Sequence, residues 1–61
     1  MDQLTQYAVL VRNDRGRTTE LLTAGADETA ARRAITTKWE ANGTTGMEIV
    51  HAQPTGATVY R

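Results

Sequence analysis

The sequence has no cysteine and a single histidine, His51. Disulfides and thiolate metal sites are therefore excluded, and no histidine cluster can form. No cofactor is implied. Phenylalanine and serine are also missing, and tryptophan and proline occur once each, as Trp39 and Pro54. Without phenylalanine, Trp39 is the largest single contributor to burial that the sequence offers. No apolar run approaches the length needed to span a bilayer. Met1-Asp2-Gln3-Leu4 offers neither the basic region nor the hydrophobic stretch of a secretory signal. A cytoplasmic location without membrane association is the expectation.

An excess of either charge is missing too: seven basic and seven acidic residues cancel formally. Proteins adapted mainly to nucleic acid usually carry a basic excess, because phosphate neutralisation supplies most of their affinity. The balance argues against that role while leaving room for a local patch. Lysine is nearly absent, with Lys38 alone, and arginine takes its place beside abundant alanine and threonine. This usage suggests GC-rich coding and a bacterial or phage source.

Sixty-one residues make one domain near the lower limit of independent folding. A core of this size rarely supplies more than roughly 3–5 kcal/mol of net stability. With disulfide and metal excluded, packing and self-association are what remain.

Leu4 to Arg12 alternates as a strand, with Tyr7, Val9 and Val11 opposing Ala8, Leu10 and Arg12. Asn13-Asp14-Arg15-Gly16 predicts a turn with a three-residue loop, Asp14 to Gly16, and a returning strand over Arg17 to Ala24. Asp27 is placed to cap a helix running to about Ala41, with Glu28 in its first turn, four residues before Arg32. Ala31, Ala34, Ile35 and Trp39 share one face of it by the helical period, and Arg32, Arg33, Thr36, Thr37 and Glu40 lie opposite, as a solvated face. Asn42-Gly43 supplies the stop. Met47 to Gln53 predicts a third strand, Pro54-Thr55-Gly56 a second turn, and Ala57 to Arg61 a short last strand.

The expected fold is thus α+β, ββαββ, with a single helix packed on one face of a four-stranded, mainly antiparallel sheet. In element order, and in the Asn42-Gly43 stop after an aromatic-bearing helix, almost the whole chain resembles the immunoglobulin-binding β-grasp domains of bacterial surface proteins. No binding motif carries over to these residues, so the resemblance implies a fold and not a function. The same order also fits a sheet whose third strand pairs antiparallel with the first, so strand order stays open.

One helix covers one face of such a sheet. The proposed turns put Tyr7, Val9, Val11, Leu21, Met47, Ile49 and Val59 beneath Ile35 and Trp39. Ala8, Leu10, Leu22, Val50, Ala52 and Tyr60 fall on the other face, beside Glu20 and Glu48. A solvated antiparallel face should alternate to polar residues. Leu10, Leu22, Val50 and Tyr60 are therefore the candidate protein interface. A one-residue slip would exchange the faces and still leave an apolar set uncovered.

Arg12, Arg15 and Arg17 surround the first turn. They are the candidate nucleic-acid contacts, since a β-ribbon can enter a groove and arginine can hold phosphate or guanine. Asp14 in the same loop weakens that field, and a solvated, edge-protecting turn accounts for the same residues. His51 reads as a structural or surface residue, with Glu48 on the opposite face by alternation. No Gly-rich phosphate loop, metal-binding histidine pair or nucleophile elbow occurs, so no catalytic residue is assigned and an enzyme is not expected. The expected role is a non-enzymatic protein-interaction module: a homodimer acting as a small regulator, inhibitor or accessory protein, with a larger protein as a further candidate partner. The alternative is a small nucleic-acid-binding protein using the first hairpin.

Overall fold

The computed structural model describes residues 3–60. Its elements are β1 (Gln3–Arg12), β2 (Thr18–Gly25), α1 (Glu28–Asn42) and β3 (Glu48–Tyr60). The sheet has three strands in the order β2-β1-β3, and both pairings are antiparallel. The architecture is ββαβ, not ββαββ. The likeness to β-grasp domains ends at the third strand, because that layout needs a second hairpin.

The second hairpin is replaced by irregular pairing. Pro54-Thr55-Gly56, expected as a turn, lies inside the 13-residue β3. Thr5 pairs with Thr58 and Tyr7 with Pro54, so β3 carries extra residues opposite Gln6. Gly56 takes a positive φ of 91° there, a conformation that costs a side-chain-bearing residue energy. The Thr55 hydroxyl donates to Gln6 Oε1 at 2.8 Å and ties the bulged segment to β1. Proline and glycine thus mark a bulge in an edge strand instead of a reversal. Ala57 to Tyr60 continue β3, and Arg61, expected to close a fourth strand, lies outside the described residues.

A second irregularity falls between Leu10–His51 and Val11–Ile49, where Val50 is the extra residue. Directly opposed residues share a face, so each extra residue resets the parity of the strand beyond it. Ala52, expected on the uncovered face, pairs with Val9 and joins the core under α1. Val59, expected under the helix, pairs with Leu4 and so takes the parity of Ala8 and Leu10. Glu48 and His51, expected on opposite faces, share the uncovered face through their partners Arg12 and Leu10.

The first hairpin has the expected form. The amide of Gly16 donates to the Asn13 carbonyl at 3.0 Å, and Asn13 N donates to the Arg17 carbonyl at 2.9 Å. The Asn13 side chain accepts from the amides of Arg15 and Arg17, both at 2.9 Å, which fixes the loop from inside. The helix also begins and ends as the sequence predicts. The Asp27 carboxylate accepts from Ala30 N at 2.8 Å, and Gly43, left-handed, donates to the Glu40 carbonyl. Arg32 bonds Glu28 at 3.2 Å in the favourable order. Strand β2 enters the helix through Gly25. A Cβ on Gly25 would lie 2.8 Å from the Ala31 backbone nitrogen, so only glycine permits this approach.

The core is thin. Tyr7, Val9, Val11, Ala31, Ile35 and Ala52 form the buried cluster, and Leu21, Trp39, Met47 and Ile49 pack against it partly buried. Ala34, expected on the apolar stripe, is exposed, so the stripe narrows to Ala31, Ile35 and Trp39.

Two outcomes are expected. Trp39→Ala should lose about 1–3 kcal/mol in urea unfolding, less than a fully buried tryptophan would cost because Trp39 is only partly buried. Gly25→Ala should destabilise by about 1–3 kcal/mol, because strand and helix must separate to admit the methyl group. A Gly25→Ala melt matching the wild type would show that the junction yields without cost.

Candidate interaction surface

β1 runs down the middle of the sheet and both flanking strands have one free edge. Alternation along β1 and its pairing with β2 place Leu4, Gln6, Ala8, Leu10 and Arg12 on the uncovered face, beside Thr18, Glu20, Leu22 and Ala24. β3 adds Glu48, His51, Gln53 and Val59.

The candidate interface residues do not all meet. Leu10 and Leu22 share the uncovered face as diagonal neighbours, since Ala8 pairs with Leu22 and Leu10 with Glu20. Leu10 is partly buried, and Leu22 is 62% exposed. Val50 is 42% exposed at the bulge. Tyr60 is also exposed, but it pairs with Gln3 and so has the parity of Tyr7, opposite to Leu10. The structure thus brings Leu10 and Leu22 together and leaves Tyr60 apart from them. Polar His51 and Gln53 stand where the sequence placed Val50 and Ala52.

Sequence reasoning missed two concavities. One, of about 300 Å³, opens between α1 and β2 and is lined by Leu21, Leu22, Ile35, Lys38, Trp39 and Asn42. Its signal in the sequence is Trp39 on the apolar stripe of α1, a residue that lines the cleft as well as flanking the core. The other, about 500 Å³ and shallow, lies between the hairpin and the Gly46–Glu48 segment. It depends on a long-range pairing that composition does not reveal.

The arginines are not equivalent. Arg12 Nε donates to Glu48 Oε1 at 2.6 Å and its terminal nitrogen approaches the same oxygen, so this cation is already neutralised across β1 and β3. Both partners are exposed, and such a pair contributes about 0–1 kcal/mol. Arg15 and Arg17 are exposed on the rigid hairpin, with Asp14 beside them in the loop and the Arg12–Glu48 pair beyond. Among the described residues no group of three or more metal-ligating side chains comes together, and no helix is long and apolar enough to cross a membrane.

No protein-family model matches the chain, and neither a curated protein nor a solved structure matches it.

With the charge of Arg12 offset by Glu48, the net positive charge of the hairpin tip rests mainly on Arg15 and Arg17. In an anisotropy titration, any binding to duplex DNA should be sequence-indifferent. Its log–log salt slope should be no steeper than about −2 per chain, from roughly 0.9 per neutralised phosphate. Tight, sequence-selective binding abolished by Arg15→Ala and Arg17→Ala would instead make the hairpin the functional site.

Proposed function

We propose that this protein is a non-enzymatic interaction module that self-associates, serving as a small regulator, inhibitor or accessory subunit. The observation that supports this reading is a deficit of burial. The chain exposes 4,408 Å², where a compact monomer of 6.7 kDa exposes roughly 3,900 Å². Its radius of gyration is 11.9 Å, against about 10.5 Å for a compact chain of this length. The excess is a consequence of the architecture, since one helix covers part of one face of a sheet whose burial is concentrated on its central strand. Val9 and Val11 are the largest fully buried side chains.

A surface of this kind gains from a partner, and a second copy is the commonest one. Formal neutrality leaves no net repulsion between copies. A standard interface removes about 800 Å² per partner, close to a fifth of this surface. The second reading, nucleic-acid binding through Arg15 and Arg17, rests on their exposure at a hairpin tip held by Asn13.

Light scattering coupled to size exclusion, run over a micromolar concentration series, should show a homodimer that dissociates on dilution. A folded monomer persisting at high concentration would remove self-association from the reading.

A further inference from the structure

The two free edges of the sheet differ in a way that points to one partner. β3 carries Pro54, which lacks an amide proton, and two breaks in register. These are the devices by which edges are kept from pairing. β2 has none of them. It pairs with β1 over Thr18–Gly25 without a register shift, contains no proline, and its one charge is Glu20.

The hydrogen-bond phase of β2 can be read from the hairpin. Asn13 N bonds the Arg17 carbonyl at 2.9 Å, which makes Asn13–Arg17 the terminal hydrogen-bonded pair. Pairs then alternate along the ladder. Thr19, Leu21 and Thr23 turn their amides and carbonyls toward β1. Thr18, Glu20, Leu22 and Ala24 turn theirs away, along the free edge. Among the described residues no other hydrogen bond reaches the backbone of Glu20, Leu22 or Ala24. Leu22 stands exposed on this strand, and the Trp39 cleft opens directly beside it.

We infer that β2 pairs antiparallel with β2 of a second copy, giving one continuous sheet with both helices on the same side. This rests on the self-association proposed above and specifies its geometry. A two-fold axis through Leu21 uses all four outward-facing residues. It sets Thr18 opposite Ala24 and Glu20 opposite Leu22 of the other copy. Glu20 then stands opposite Leu22 and only diagonal to its own image, and Leu21 meets its counterpart beneath the two helices. The clefts lined by Trp39 and Lys38 then face each other across the axis, so apolar burial adds to the backbone ladder. A copy of this chain fits because the edge is complementary to itself in hydrogen-bond phase and in the position of its apolar side chains.

Backbone amide exchange of the unmodified protein, measured by NMR at low and high concentration, tests this directly. The amides of Glu20, Leu22 and Ala24 should slow by at least about tenfold as the dimer forms, while the exposed amides of β3 keep their rates. Leu22→Pro, which removes an outward amide and no bond to β1, should give a monomer. If that variant fails to fold, the exchange result still decides. A dimer whose Glu20, Leu22 and Ala24 amides stay unprotected, and which Leu10→Glu dissociates, would overturn edge pairing in favour of stacked sheet faces while leaving self-association intact. A monomer at every concentration would overturn both.

Discussion

Val9 and Val11, two residues apart on the same side of the central strand, anchor the structure because the buried cluster is built around them. Both are almost entirely shielded from solvent. Their neighbours in the sheet are Leu21 and Thr19 on β2 and Ala52 and Ile49 on β3, and Ile35 and Ala31 lie in the same cluster. A strand gains this burial only if it is paired on both sides and covered above. That requirement explains why β1 sits in the middle, why β3 extends along its whole length and why Gly25 must press against the first turn of α1. Each feature serves two small side chains, so the margin is narrow, and side chains on the flanks such as Trp39 contribute a disproportionate share.

Local chemistry made much of this legible in the sequence. The Asn13 turn, the Asp27 cap, the Gly43 stop and the Glu28–Arg32 pair are all decided within four residues, and each stands where the residue types predict. The alternation of β1 was equally plain, as were the β2 positions opposite it. What failed was decided at long range. Pro54-Thr55-Gly56 has the composition of a turn, and nothing within the segment separates a reversal from a bulge. The choice is made by β1, which needs a full-length partner, and by Gln6, which holds Thr55. The Val50 bulge was equally invisible, and it moves Ala52 into the core and brings Glu48 and His51 onto one face. The candidate interface suffered in proportion. Leu10 and Leu22, on the regular hairpin, stayed together, while Tyr60, read across two irregularities, did not.

The two edges of the sheet divide the labour of the surface. A sheet this small cannot hide its edges behind a second layer, so each must be made unattractive or used. β3 has a proline, two bulges and the Arg12–Glu48 pair at its end. β2 remains straight, nearly uncharged and weighted toward threonine and leucine. The arginines fit the same division: one is engaged across the sheet, and two remain at a tip beside Asp14. A thin core, an excess of exposed surface and one unprotected edge are the features that the proposed assembly would offset.

The most direct check is whether folding and association are linked. A partner that binds only the native chain raises its stability by mass action. Thermal unfolding should therefore shift to higher temperature as the protein is concentrated, on the order of 5–10 °C over a hundredfold range for a domain of this size. A midpoint independent of concentration across that range would contradict self-association, because the native chain would then be stable without a second copy.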